Sequence, residues 1–185
     1  MILNRGTETL ETNRLILRKF EIDDVQSFYE LVGSDSLVTR YVVWNVHENI
    51  EITKRKIEKW INSYDEDYKY RWAIQLKNSN DVIGSISCVK VDTLNETCEI
   101  GYVISSRKWN KGYATETLKA VINFLFDEGF KTIYAEHLKM NPASGRVMIK
   151  SGMKYEGILR NRMISKVTGK YDDLLSYSII IDEKN

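Results

Sequence analysis

Trp109-Asn110-Lys111-Gly112-Tyr113-Ala114-Thr115-Glu116 is the stretch whose reading decides the fold. Before it, Glu99-Ile100-Gly101-Tyr102-Val103-Ile104 reads as a strand. After it, Ala114, Leu118, Val121, Ile122, Leu125 and Phe126 recur at the spacing of one helix face. A strand, a short glycine-containing turn and a helix make an anion site. The first backbone N–H groups of a helix have no internal partner, and the helix dipole adds partial positive charge there. Gly112 has no side chain to keep a ligand away from the backbone. The turn therefore predicts a phosphate-bearing cofactor.

Composition bounds what surrounds this turn. A chain of 185 residues can bury a sizeable core. Hydrophobic residues are 43% and charged residues 29%, the balance of a folded globular protein. The net charge of +1 argues against non-specific binding to nucleic acid, which wants a basic excess. Cys88 and Cys98 lie in strand-like runs and read as buried thiols. No apolar leader and no run long enough to span a membrane is present, so a cytoplasmic protein is expected.

Outward from the turn, the pattern alternates between strands and helices. Arg14–Arg18, Tyr70–Leu76, Val82–Val91 and Cys98–Ile104 read as strands on the N-terminal side. A helix is expected from Asp23 or Asp24 to about Val32, and a second from about Glu48 to Tyr64. Leu37–Trp44 reads as an aromatic connection. The helix after Gly112 should stop at Gly129. Thr132–Leu138 is a strand, and Asn141-Pro142 starts a helix with Asn as cap and proline at the first helical position. Tyr155–Ile164 and Tyr171–Ile181 form a closing hairpin around Thr168-Gly169. No repeat or linker interrupts the chain. One domain over residues 1–185 is expected, a mixed α/β sheet with one central strand–helix–strand unit.

Other phosphate-binding patterns fail. A P-loop string is absent, and a dinucleotide fingerprint needs more glycines than Gly112 supplies. Trp109-Asn110-Lys111-Gly112-Tyr113-Ala114 instead resembles the pyrophosphate-binding turn of the GNAT N-acetyltransferase superfamily, Gln/Arg-x-x-Gly-x-Gly/Ala. With Trp first and Tyr-Ala-Thr-Glu after the glycine, it is similar to the RimJ/RimL branch, named for ribosomal-protein N-terminal acetyltransferases. Five further stretches agree in order: Thr12–Arg18, Glu99–Val103, Asn141–Ser144, Lys150–Met153 and Glu156–Arg160. The matches span roughly residues 9 to 181. Two positions depart from the pattern. Asn110 stands where this branch usually has glycine, and Met148 where many superfamily members have a tyrosine that protonates the leaving thiolate.

The resemblance implies a GNAT-like fold. This is a mainly antiparallel mixed sheet of about seven strands, splayed between the fourth and fifth and flanked by about four helices. It implies acetyl-CoA as co-substrate and no metal. Tyr102, Val103 and Ile104 would pair with the pantetheine amides. The backbone of Trp109, Asn110, Lys111, Gly112, Tyr113, Ala114 and Thr115 would cradle the pyrophosphate, and Asn141 and Ser144 would reach the thiol end. Arg107, Lys108 and Lys111 could add phosphate charge. The implied catalytic groups are Glu99 as general base and Ser144 as acid, with Tyr102 and Tyr113 as weaker candidates. Tyr41 and Trp44, with Glu99, would face the acceptor amine. His47 and His137 lack metal-pair spacing and read as structural. Trp60 and Trp72 could line a pocket but are more often core. The implied acceptor is a protein or peptide α-amine. A small amine (polyamine, amino sugar, amino acid or antibiotic) and a silent acyl-CoA-binding module are the alternatives. No nucleic-acid or membrane partner is expected, and the chain would be a monomer or homodimer.

Overall fold

The computed structural model describes residues 1–183. Its strands are β1 (Leu10–Glu11), β2 (Leu15–Arg18), β3 (Arg71–Leu76), β4 (Val82–Asp92), β5 (Thr97–Ile104), β6 (Thr132–Leu138), β7 (Lys154–Ile164) and β8 (Tyr171–Ile180). They form one sheet in the order β1-β2-β3-β4-β5-β6-β8-β7. Every neighbouring pair is antiparallel except β5 and β6. A parallel pair needs a crossover, and the helix Tyr113–Glu128 provides it.

Helices cover both faces. They are α1 (Asp24–Phe28), α2 (Ser36–Thr39), α3 (Ile50–Asn62), α4 (Tyr113–Glu128) and α5 (Pro142–Lys150). On one face, Leu118, Val121 and Leu125 of α4 and Met148 of α5 pack with Trp72, Ile86, Ile100 and Ile133. On the other, Phe28, Val32, Val38 and Ile57 pack with Ala73 and Val82. Trp72 is fully buried, so it belongs to the core and lines no pocket. No described helix is long and apolar enough to cross a membrane.

Three expectations need correction. The sheet has eight strands, because Leu10–Glu11 adds a two-residue ladder to β2, too short to show periodicity. The helix expected to reach Val32 is five residues of α-helix followed by a π-helical turn, Tyr29–Gly33. There the chain passes close beneath a later loop: His47 N–H donates to Gly33 O at 2.9 Å, and a Cβ on Gly33 would stand 2.7 Å from His47 Nδ1. The stretch expected as an irregular connection is preceded by Asp35, whose carboxylate accepts from Leu37 N at 2.9 Å and Val38 N at 3.4 Å, and so caps α2. The helices therefore number five rather than four among the described residues.

The C-terminal end of α4 is held by a buried carboxylate. Glu128 is inaccessible to solvent, accepts from Tyr70 Oη at 2.7 Å and Arg5 N at 2.9 Å, and pairs with the Arg5 guanidinium. These bonds join the N-terminal segment and the residue just before β3 to α4. Glu128→Ala would leave the Tyr70 hydroxyl buried without an acceptor, which costs about 1–3 kcal/mol. A urea unfolding curve should show the midpoint shifting down with little change in slope. An unchanged midpoint would remove this network as a stabilising element.

Candidate active site

β5 and β6 pair only through Thr97↔Thr132, Cys98↔Ile133 and Glu99↔Tyr134, and then part. β6 remains paired with β8 through Leu138, and β5 with β4 through Ile104. The side of β5 that faces β6 therefore has no ladder from Ile100 to Ile104. Backbone N–H and C=O groups there need partners and can take them from amides of an extended ligand. The parting opens a cleft of about 550 Å³.

The turn after β5 closes one end of this cleft. The Trp109 indole N–H donates to Ile104 O at 2.8 Å, which pins the turn to the strand. Asn110 and Gly112 both adopt left-handed backbone, with φ of 58° and 81°. Asparagine tolerates that region better than most residues, which explains how the turn keeps its shape without glycine at 110. Gly112 is the N-cap of α4, and no side chain caps the helix. Its first N–H groups are thus left for an anion.

A brace behind the turn was not recognised in the sequence. Arg14 N–H and Nε–H donate to Glu116 at 2.9 and 2.7 Å, and Arg14 Nη1 donates to Lys111 O at 2.9 Å. Thr12 Oγ1 donates to the same carboxylate at 2.7 Å, and the Arg14 guanidinium lies 4.4 Å from the centre of the Tyr113 ring. Burial disfavours the Glu116 carboxylate, yet Thr12 and Arg14 outweigh that and hold it below the usual glutamate range. Asp35 braces the other side: the carboxylate that caps α2 also accepts from Ser106 N at 3.1 Å.

Of the residues read from sequence, Tyr102, Val103, Ile104, Trp109, Asn110, Gly112, Tyr113, Ala114, Thr115, Asn141, Ser144 and Tyr41 line the cleft. Lys111 is on the turn but turns its carbonyl to Arg14, and Arg107 is exposed. Lys108 reaches the cleft, joined by Arg146 and Lys150 of α5 and the apolar wall of Leu37, Val38 and Val42. Their only signal was the spacing of Arg146 and Lys150, one helical turn apart. Asn141 stands at the N-cap position of α5 as expected, but its side chain makes no capping bond.

Ser144, in the first turn of α5, meets Tyr102 across the cleft. Tyr102 Oη lies 2.9 Å from Ser144 Oγ and donates to Ser144 O at 3.0 Å. Burial raises the phenol well above its ordinary range, so it stays protonated. Met148 is buried in the core, where no thiol could reach it.

Glu99 does not line the cleft. It is the last residue of β5 paired with β6, at the closed end of the splay. Alternation along β5 puts Glu99 and Val103 on the face opposite Tyr102. Burial, then the nearby Glu136 charge, raises the Glu99 carboxyl, against smaller opposing effects of Lys90 and Tyr134. Trp44 also lies outside the cleft, its ring against His47. His47 and His137 are buried and bonded to Thr53 Oγ1 and Leu138 O. Among the described residues no group of His, Cys, Asp and Glu is placed to hold a metal.

A parted parallel pair, an uncapped helix start and cations along one wall suit an extended, phosphate-bearing acyl thioester. Comparison with known proteins agrees. Residues 14–154 match the acetyltransferase (GNAT) domain family. The chain is 33% identical over 172 residues to the uncharacterized N-acetyltransferase YoaA of Bacillus subtilis (strain 168), covering 92% of this chain and 96% of that one. It is 24% identical over 182 residues to the ribosomal-protein-serine acetyltransferase of Escherichia coli (strain K12), covering 96% and 99%. The structure of RimL, a ribosomal L7/L12 α-N-protein acetyltransferase in complex with coenzyme A, superposes with a TM-score of 0.83, at 21% identity over 95% of this chain and 99% of that one. The chain belongs to the GNAT acetyltransferase family. It is an N-acetyltransferase that uses acetyl-CoA.

The turn can be tested directly. Gly112→Asp puts a side chain into left-handed backbone and a negative charge at the helix start, and should weaken CoA binding at least 100-fold by calorimetry. Unchanged affinity would show that the phosphates bind elsewhere.

Proposed function

We propose that the enzyme acetylates the N-terminal α-amine of a protein or peptide, of the ribosomal-protein kind, by direct attack with both substrates bound. The observation that carries this reading is the two-sided placement of proton-handling groups. Glu99 stands at the closed end of the splay on one face, and the Tyr102–Ser144 hydroxyl pair on the other. An acyl carbon seated in the cleft has the hydroxyl pair as donor on the side of departure, and Glu99, beyond the closed end of the cleft, serves the attacking amine through a water.

The acceptor must be neutral to attack. An α-amine, with a pKa of about 7.7–8.0, loses only ~1 kcal/mol to deprotonation at neutral pH, whereas a lysine amine at about 10.4 loses ~4–5 kcal/mol. A carboxylate whose pKa burial raises suffices for the first. As the new C–N bond forms, Glu99 takes a proton from the amine, directly or through a water. As the C–S bond breaks, Ser144 gives a proton to the thiolate and recovers it through Tyr102. Tyr41, with the apolar wall beside it, shapes the acceptor's approach. An acceptor of this kind implies a cytoplasmic enzyme. A polyamine is disfavoured, because Lys56 and Arg71 gather positive charge around Trp60 with no ion-paired carboxylate among the described residues.

A CoA-release assay with N-terminal peptides and small amines tests the reading. Peptide α-amines should turn over faster than lysine side chains or polyamines, and the reverse order would sink it. Glu99→Gln should lower kcat about 10²–10⁴-fold, the usual contribution of a general base. Glu136→Gln should act differently. It removes a like charge, so the Glu99 pKa falls and its carboxylate survives to lower pH. The acid limb of kcat/KM should then move to lower pH, and an unmoved limb would exclude Glu99 as the titrating base.

A further inference from the structure

A cationic and aromatic cluster lies on the acceptor side of the sheet, outside the cleft. The Arg71 guanidinium stacks over the Trp60 ring, its central carbon 4.7 Å from the ring centre. Lys56 Nζ lies 4.3 Å from the centre of the Trp44 ring and 5.7 Å from that of Trp60. The two cations thus share Trp60. Neither forms an ion pair among the described residues. Arg71 Nε is buried with no hydrogen-bond acceptor. A third cation, Lys166 at the tip of the β7–β8 hairpin, donates to Trp44 O at 2.5 Å and holds the Trp44 loop in place.

This cluster shares a face with the proposed base. Arg71 pairs with Ser87 of β4, and Ser87 with Gly101 of β5, two residues along from Glu99. Side chains opposite one another in antiparallel strands point the same way, so Arg71 and Glu99 serve one side of the sheet. Two half-buried cations in contact with one ring repel each other and lack the counter-charge that usually accompanies buried charge. Burial, then Arg71, holds the Lys56 ammonium at about 8, and burial lowers Arg71. The neighbouring His47, at about 4 through burial and then Lys56, is neutral at physiological pH and supplies no anion. The planar donor fork of Arg71 matches a carboxylate, and the indole faces hold both cations toward it.

We propose that Arg71 and Lys56, framed by Trp44 and Trp60, bind a carboxylate carried by the acceptor a short way from its reacting amine. This rests on the acetyl-transfer reading and adds the chemistry of the acceptor: an acidic side chain within the first few residues of the peptide. The subsite sets specificity through charge, while Glu99 and the hydroxyl pair carry out the transfer.

The test uses the full chain and matched serine-initiated peptide amides with glutamate or glutamine at the second, third or fourth position. The wild type should prefer at least one glutamate peptide over its glutamine twin by 10-fold or more in kcat/KM, chiefly through KM. That ratio should fall to within 2-fold in Arg71→Gln and partly in Lys56→Gln, and should be partly restored in Arg71→Lys. Equal rates for every pair in the wild type, or a ratio that survives both glutamine substitutions, would overturn the proposal. O-phosphoethanolamine against ethanolamine separates a phosphate source. A charge preference seen only there would overturn the peptide carboxylate. If no amine is turned over, the acetyl-transfer reading is at fault, and calorimetry with the same peptide pairs reads the subsite alone. Tighter glutamate binding that Arg71→Gln abolishes supports the subsite, and identical binding of both twins refutes it.

Discussion

The parting of β5 from β6 is the constraint on which the rest of this molecule depends. Three registered pairs hold the strands together, and beyond Glu99 and Tyr134 nothing on β6 answers the backbone of β5. An unanswered strand edge inside a protein is costly unless something polar fills the gap. Here the gap is the cleft. Antiparallel pairing of β4 with β5 and of β6 with β8 keeps the two halves rigid while they diverge. The single parallel contact forces a crossover helix, and the start of that helix arrives at the mouth of the cleft.

The site is accordingly built from backbone as much as from side chains. Two left-handed residues, Asn110 and Gly112, shape the turn, and the Arg14–Glu116 pair fixes it from behind. Because Arg14 immediately precedes β2, the turn is tied to the far part of the sheet as well as to its own strand and helix. Asp35 performs a similar task opposite, joining the apolar wall of α2 to the residues that follow β5. The cleft is thus lined by the fixed dipoles of the α4 start and by cations of α5. The opposite face of the sheet carries ionisable groups: Glu99 at the closed end of the splay, and Arg71 and Lys56 against the tryptophans. The two faces of the sheet thus differ electrostatically.

Much of the fold could be read along the chain, for a local reason. The strands β3 to β6 and the helices α4 and α5 announce themselves by period, by glycine at 112 and 129, and by Pro142 at a helix start. The glycine-containing turn before α4 was legible for the same reason, since it is a contiguous run of backbone. What escaped the sequence depends on distant partners. The π-helical turn before Ser34 answers to His47 pressing on Gly33, and α2 forms where Asp35 can cap it. Arg146 and Lys150 carry no mark of their destination until α5 docks beside the splay. Asn141 sits at the cap position yet its side chain makes no capping bond, which composition cannot distinguish from a capping asparagine.

The sequence by itself determined the order of elements, the family and the cofactor, because those reside in short runs whose backbone geometry needs particular residues. Only the tertiary structure decided which faces those residues share. Glu99 and Tyr102 are near neighbours in the chain, but strand alternation sends them to opposite sides. Arg71, Lys56 and Trp44 lie in separate segments, yet sheet register and the packing of α3 bring them together. Charge without a counter-charge is a property of that meeting, and no run of residues contains it.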